Sequence, residues 1–172
     1  MRDVIIACDF ANQETLFEFL KPFEGLNPYL KLGMEIIYKE GPQLVKKLHD
    51  MGFKIFLDLK LHDIPNTVEK AMKNIATLGV EITNVHAAGG VAMMAAARRG
   101  LDSTEEGKKT KLIAVTQLTS TSQEVLEKEL LIETIKKKRY EEQTIKIMEL
   151  NKKLEALERD LSILVLSAEM HK

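Results

Sequence analysis

The sequence predicts an α/β fold in which parallel strands alternate with helices, and three observations support that prediction. Short apolar runs alternate with helix-like stretches from the N-terminus to about residue 122. Turn-forming residues separate them, since all nine glycines lie between Gly25 and Gly107 and all four prolines between Pro22 and Pro65. Polar residues follow the apolar runs. This regular alternation is typical of right-handed βαβ units around a parallel sheet.

Each element has a local signal. Five apolar runs predict strands at residues 4–8, Tyr29–Gly33, 54–60, 80–86 and 111–118. Helices are predicted at Gln13–Leu20, after Gly41-Pro42, after Pro65, from Gly89-Gly90 to near Gly100, and beyond a cap at residues 119–122. Proline suits the first turn of a helix, and Ser and Thr are favoured N-caps.

Composition limits the class of protein. With 172 residues, 45% of them hydrophobic, the chain can bury one domain-sized core. A net charge of -1 argues against general attraction to nucleic acid or anionic lipid. A single cysteine, Cys8, excludes an intramolecular disulfide. We find no leader-like segment and no apolar run near the roughly 20 residues that cross a bilayer, so we expect a cytoplasmic protein.

Polar side chains gather where the predicted strands end and loops lead into helices. Chemistry in parallel α/β folds is concentrated at that edge of the sheet. The polar residues in question are Asp9, Lys31, Asp58, Lys60, His86, Thr119 and Ser120. The same placement on five strands indicates a functional site.

The third predicted strand carries two opposite charges. Because side chains alternate along a strand, Asp58 and Lys60 are expected on one face. Burying ions costs several kcal/mol each unless geometry and hydrogen bonds offset the cost. A structural ion pair is one interpretation. The other is an array with Lys31 and Asp63 that binds an anionic substrate, opposes a leaving carboxylate and donates a proton.

Residues 58–67, DLKLHDIPNT, resemble the signature of the orotidine 5'-phosphate decarboxylase family, which makes UMP in the last step of its synthesis. Supporting motifs occur in the expected order over about residues 1–133: residues 7–9, 31–34, 41–43, 84–90 and 114–120. The resemblance implies a partial (β/α)8 barrel with about five parallel βα units. It also implies decarboxylation of orotidylate to UMP and CO2.

The resemblance implies a role for each charged residue. Lys60 would protonate C6 of the pyrimidine as CO2 leaves, and Asp58 would face the substrate carboxylate. Lys31 would complete the array and contact the ribose. Asp63 would reach, together with Thr67, into the site of a neighbouring subunit, which makes the expected assembly a homodimer.

Further substrate contacts follow from the same resemblance. Asp9 would bind ribose hydroxyls, while Thr119 and Ser120 would contact the substrate, Ser120 near the pyrimidine edge. No metal and no organic cofactor are expected, because preorganised charge can stabilise a developing carbanion.

Some of these residues could instead have purely structural roles. Asp9 could cap the first helix, and His86 could be a hydrogen-bonded residue of the inner barrel layer. Cys8 is expected to be a small buried hydrophobe and not a nucleophile. A sister branch of sugar-phosphate decarboxylases and aldolases shares an Asp-x-Lys-x-x-Asp strand but uses magnesium with an acidic ligand on the second strand, where this chain has Lys31.

Residues 134–172 are predicted to be a separate helical tail. From Ile147 to Leu164, apolar residues recur at steps of three and four, as in an a/d heptad seam. The seam spans fewer than three heptads, so a dimeric coiled coil and a single amphipathic helix covering the open sheet edge both remain open. The basic run at residues 136–139 precedes Glu141-Glu142 and is interpreted as a solvated helix face.

The chain is short for the barrel that its motifs indicate. A complete barrel takes about 250 residues, and its phosphate site lies after strands 7 and 8. The family's phosphate-binding arginine and glutamine have no counterpart here, and remote phosphate binding energy drives such chemistry. We therefore expect a truncated member with weak or no activity. The alternative is a non-catalytic truncated or fused fragment whose tail mediates association.

Overall fold

Five parallel strands form one sheet in chain order. The computed structural model describes residues 4–130. Within them the strands are β1 Ile5–Ala7, β2 Tyr29–Gly33, β3 Lys54–Leu61, β4 Ile82–His86 and β5 Lys111–Val115, each hydrogen-bonded to the next. Because all four pairings are parallel, the carboxyl ends of the strands meet at one edge. The predicted partial barrel of five parallel strands alternating with helices is confirmed.

Helices connect the strands on every crossover. They are α1 Gln13–Leu20, α2 Met34–Glu40, α3 Gln43–Asp50, α4 Pro65–Ala76, α5 Gly90–Leu101 and α6 Glu105–Lys109, with short 3-10 turns at Lys21–Phe23 and Ala87–Gly89. The sequence predicts α1, α3, α4 and α5, but not α2 or α6. β5 ends at Val115 instead of residue 118, and β1 is shorter at both ends than predicted.

Local signals explain where these helices begin. Asn12 caps α1 by accepting a hydrogen bond from the Thr15 amide at 2.9 Å. Pro65 occupies the first turn of α4, where its missing N–H costs nothing. Gly41, with φ 76°, ends α2 and lets α3 start two residues later, so one connection holds two helices.

The core lies between the sheet and the helices packed against it. β2 and β3 contribute fully buried leucines and isoleucine, which contact apolar faces of the helices. The largest fully buried side chains are Leu16, Leu20, Leu30, Leu32, Ile36, Leu44, Leu48, Ile55, Leu57, Met72, Met93 and Leu101. This core fixes the strands and therefore the side chains at their carboxyl ends.

The two outer strands are less buried than the central ones. Ile5 of β1 is 48% exposed and Ile113 of β5 is 42% exposed, whereas Leu30, Ile55 and Val85 of the inner strands are fully buried. Among the described residues each outer strand has a partner on one side only. The sheet is therefore open over this part of the chain, as a partial barrel requires.

The chain divides into two compact units, Met1–Leu118 and Thr119–Lys172. The described part of the second unit contains a π-helical turn at Val125–Glu129, and Ser122 Oγ accepts a hydrogen bond from the Val125 amide at 3.2 Å. The predicted boundary at residue 133 and the predicted helical tail at residues 134–172 lie outside the described residues. No helix within residues 4–130 has the length and apolarity needed to span a membrane.

Candidate active site

The Asp58 carboxylate is the centre of a charged cluster at the carboxyl end of the sheet. Asp58 is buried, with 8% of its surface exposed. Oδ1 accepts hydrogen bonds from Lys60 Nζ and Asn84 Nδ2, both at 2.6 Å. Oδ2 lies 3.4 Å from Lys31 Nζ. Two ammonium groups and one amide thus surround a single buried carboxylate, which is the geometry of a preorganised charged site.

Lys31 extends the cluster to the first strand. Its Nζ donates a hydrogen bond to Asp9 Oδ1 at 3.2 Å. Register explains the contacts, because Ala7 pairs with Lys31 and Gly33 pairs with Asp58 across neighbouring strands. The result is a line of alternating charges, Asp9–Lys31–Asp58–Lys60, which we call the charged array.

The charged array shifts the pKa of two of its members. Burial alone would raise the pKa of Asp58, but hydrogen bonds from Lys60 and Asn84 and the positive charges of Lys60 and Lys31 hold it below its ordinary value. Burial alone would lower the pKa of Lys31, but Asp9 and Asp58 raise it above its ordinary value. Asp58 and Lys31 therefore both favour their charged forms at neutral pH.

The side chain of Lys60 lies next to Asp58 because the backbone at Lys60 is irregular. Regular alternation of side chains along the strand is not the cause. The φ of Lys60 is 51°, in the left-handed region that a lysine rarely adopts. The β3–β4 register shifts there, since Leu57 pairs with Thr83 but Leu61 pairs with Val85. The predicted proximity of Asp58 and Lys60 is present, whereas regular alternation through residue 60 is not.

Asp63 lies beside the charged array but makes no ion pair within the described residues. Its Oδ1 accepts a hydrogen bond from the Ile64 amide at 2.7 Å. Asp63 and Thr67 are exposed, and both line a cavity of about 490 Å³ together with Lys60, His62 and His86. Within the described part of this chain, Asp9 and Asp58 are the carboxylates that contact Lys31. The predicted reach of Asp63 into the site of a neighbouring subunit stays a prediction.

Thr119 and Ser120 follow directly after Leu118 and begin the second unit. Both are exposed. Their contacts with a substrate remain predictions from the family resemblance.

Several residues in or near the family motifs lie outside the charged array and make other contacts. Asn12, and not Asp9, provides the side-chain cap of α1. The rings of His62 and His86 lie 5.5 Å apart. Cys8 is fully buried, and burial together with the negative charge of Asp9 raises the pKa of its thiol to about 11. In the described part of the chain, no three His, Cys, Asp or Glu side chains are grouped so that they could hold a metal ion.

Asn84 is a member of the site whose role does not follow from the sequence motifs. It lies in β4, is 2% exposed, and contacts both Asp58 and the backbone of Lys60. The sequence does contain an indication of a hydrogen-bonding role for Asn84. It is an amide in the middle of a strand that a parallel sheet buries on both faces. A buried amide requires hydrogen-bond partners, and a charged strand beside it supplies them.

Comparisons with known proteins identify the family. The model of the orotidine 5'-phosphate decarboxylase / HUMPS family matches residues 2–158, which extends past the predicted limit at residue 133. An orotidine 5'-phosphate decarboxylase of Halalkalibacterium halodurans is 55% identical over 137 residues, covering 78% of this chain and 58% of the relative. One from Bacillus licheniformis is 55% identical over 132 residues, covering 76% of this chain and 55% of the relative.

A solved structure shows the same relationship. The crystal structure of orotidine 5'-phosphate decarboxylase from Lactobacillus acidophilus matches with a TM-score of 0.71 and 44% identity, covering 76% of this chain and 59% of that one. The chain thus spans a little over half the length of the curated relatives that it matches. Since the family model matches most of the sequence, the chain belongs to the orotidine 5'-phosphate decarboxylase / HUMPS family.

Proposed function

We propose that this chain carries the charged part of an orotidylate decarboxylase site and acts on orotidine 5'-phosphate to give UMP and CO2. One observation carries the proposal: the Asp58 carboxylate is held between the Lys31 and Lys60 ammonium groups, 3.4 Å and 2.6 Å away. A carboxylate that stays ionised beside a proton donor suits a reaction that expels a carboxylate and then protonates carbon.

The proposed reaction breaks the bond between C6 of the pyrimidine and the substrate carboxyl group. The bonding electron pair remains on C6, and CO2 leaves. Lys60 Nζ then gives a proton to C6, and the neutral amine regains a proton from solvent. A positioned general acid contributes roughly 10²–10⁴-fold to rate, so Lys60 is the residue whose loss should cost most.

Asp58 contributes through repulsion that is relieved during the reaction. Its ionised carboxylate would face the substrate carboxylate, and that repulsion falls as neutral CO2 forms. An interaction that is less unfavourable in the transition state than in the ground state raises the rate. Lys31 and Lys60 make this possible because they keep Asp58 ionised in a buried position.

The remaining assignments follow the family. Asp9 and Lys31 would bind the ribose, and Thr119 and Ser120 would contact the substrate, Ser120 near the pyrimidine edge. Asp63 and Thr67 are exposed beside the cavity that Lys60 also lines, which leaves them accessible to the site of a second copy in a homodimer. A role in pyrimidine biosynthesis would place the protein in the cytoplasm.

Two competing interpretations are weaker. Relatives at 55% identity carry the decarboxylase name, which does not favour a non-catalytic association fragment. The magnesium-dependent sister branch needs an acidic ligand on the second strand, where Lys31 instead donates to Asp9.

The test is an assay of the full chain with orotidylate, followed by loss of substrate absorbance. We expect turnover that depends on Lys60. That turnover should fall by roughly 10²–10⁴-fold in Lys60→Ala. Equal rates for the wild-type chain and Lys60→Ala would rule out the proposed function.

A further inference from the structure

The Asn84 side chain contacts both Asp58 and Lys60, the two residues to which the proposed reaction gives its main roles. Its Nδ2 donates to Asp58 Oδ1 at 2.6 Å, and its Oδ1 accepts from the Lys60 backbone amide at 2.7 Å. Asn84 is 2% exposed, so water has little access to either contact. One amide therefore contacts the carboxylate of one proposed catalytic residue and the main chain of the other.

The contact with Lys60 replaces a missing bond of the sheet. Between the Leu57–Thr83 and Leu61–Val85 pairs, three residues of β3 face the single residue Asn84 of β4. Such a bulge leaves backbone groups without their regular ladder partners. Here the Asn84 side chain supplies the acceptor for the Lys60 amide.

The same bulge puts Lys60 in an unfavourable conformation. A φ of 51° is uncommon for a residue with a Cβ, and it persists only where surrounding contacts hold it. The left-handed backbone changes the direction in which the side chain leaves the strand. With this backbone, Lys60 Nζ lies 2.6 Å from Asp58 Oδ1.

The chemistry of the two contacts suits an asparagine. An ionised carboxylate only accepts hydrogen bonds and a backbone amide only donates, so the amide nitrogen must face Asp58 and its oxygen must face Lys60. Aspartate could not donate to Asp58 and would add a like charge, and leucine could do neither.

We propose that Asn84 is a positioning residue of the site: its amide holds Lys60 in the left-handed conformation and fixes the Asp58 carboxylate against it. This inference rests on the proposed function for its catalytic meaning. Its structural content, the coupling of Asn84 to the Lys60 backbone and to Asp58, can be measured without substrate.

The experiment compares the full chain with Asn84→Leu and Asn84→Ala, using Thr83→Val as the matched control. Thr83 neighbours Asn84 in β4, is fully buried, and its hydroxyl donates to Leu57 O at 3.0 Å. Thr83→Val thus removes another buried β4–β3 hydrogen bond without touching the charged array. Asn84→Ala also removes the amide but introduces no larger side chain. It therefore provides the test if Asn84→Leu does not fold.

NMR of the ligand-free chains gives the first readout. We expect a higher Asp58 carboxyl pKa and faster hydrogen exchange of the Lys60 amide in the Asn84 variants, because Asp58 loses a donor and the amide loses its acceptor. Thr83→Val should leave both values at those of the wild-type chain. Unchanged values in a folded Asn84 variant, or equal changes in Thr83→Val, would overturn the proposal.

Turnover gives the second readout. Misplacement of a reacting group by about 1 Å can cost on the order of 10²-fold, so kcat should fall on that order in the Asn84 variants while KM changes little. A rise in KM with unchanged kcat would contradict a positioning role. If the wild-type chain shows no Lys60-dependent turnover although the NMR readouts shift as expected, the proposed function fails and the coupling of Asn84 to Lys60 and Asp58 stands.

Discussion

Cys8 is next to Asp9 in sequence but takes no part in the charged array. Its side chain is fully buried, and its Sγ donates to Ile6 O at 3.6 Å. Burial and the charge of Asp9 raise the pKa of the thiol to about 11. The reactive thiolate is therefore scarce at neutral pH, and reagents cannot reach the sulfur.

We predict that Cys8 resists alkylation in the folded chain. Iodoacetamide at pH 8 should leave the native protein unmodified and should label one thiol per chain once urea unfolds it, since the chain has one cysteine. Mass spectrometry measures the result. Rapid labelling of the native chain would show that Cys8 is exposed or ionised, contrary to its burial and raised pKa.

Part of the site can be predicted from the sequence alone. Asp58 and Lys60 were predictable because charges in a buried strand require a reason, and the decarboxylase motif named them. The left-handed φ of Lys60 was not predictable, since lysine has no preference for that conformation. Asn84 was missed because its role depends on a register shift between two strands that no local pattern encodes.

Glu81 immediately precedes β4 and contacts residues of β3 and α3 at the end of the sheet opposite the charged array. Its Oε2 accepts from the Ile55 amide at 2.6 Å and lies 3.6 Å from His49 Nε2. Burial alone would raise the pKa of Glu81, but the neighbouring His49 imidazole and the hydrogen bond from the Ile55 amide hold it below its ordinary value. Glu81 therefore binds protons less readily in the folded chain than in the unfolded one.

We predict that Glu81 contributes to acid-sensitive stability. The stabilisation should be complete above its unfolded pKa of about 4.3 and should disappear as pH falls through the lower folded value. Urea unfolding across acidic pH should show a shallower loss of stability for Glu81→Gln than for the wild-type chain. The exposed Glu106→Gln should follow the wild-type profile, and an unchanged slope in Glu81→Gln would contradict the assignment.

Gly100 allows α5 to pack closely against α4. A Cβ at this position would lie 2.3 Å from the backbone oxygen of Glu69 and 2.8 Å from the Cβ of Met72. The first contact is with backbone, which cannot move aside as a flexible side chain could. The close approach of the two helices therefore depends on the absence of a side chain at Gly100.

We predict that Gly100→Ala destabilises the fold by about 2 kcal/mol net, because a clash with backbone places the cost of overpacking near the upper end of its usual range of about 1–3 kcal/mol. Alanine is favoured over glycine in helices by about 1 kcal/mol, which offsets part of that cost. Urea unfolding measures the difference, with Ala95→Ser on the exposed face of α5 as a control that should change little. A Gly100→Ala chain as stable as the wild type would show that the helices can separate freely.

Most elements were predictable because their signals are local. Apolar runs located all five strands, and Pro65 and Gly90 marked where α4 and α5 begin. α2 was missed because its isoleucines and tyrosine are weak helix formers that also suit a strand. Its position depends on tertiary packing, in which Ile36 and Ile37 are buried.

At the scale of the whole molecule, the proposed homodimer predicts complementation between inactive variants. Lys60→Ala and Asp63→Ala chains should each lose activity alone. When they are mixed under conditions that exchange subunits, about a quarter of the wild-type activity should return, because half of the dimers are hybrids with one intact site. A mixture no more active than its components would contradict sharing of Asp63 between subunits.

Decarboxylation by the charged array of this chain is a proposal that one experiment can decide. The most direct measurement is release of labelled CO2 from carboxyl-labelled orotidylate by the full chain, with Lys60→Ala and Thr83→Val prepared in parallel. We expect release by the wild-type chain and by Thr83→Val, and none above buffer by Lys60→Ala. Equal release by the wild-type chain and Lys60→Ala would contradict it.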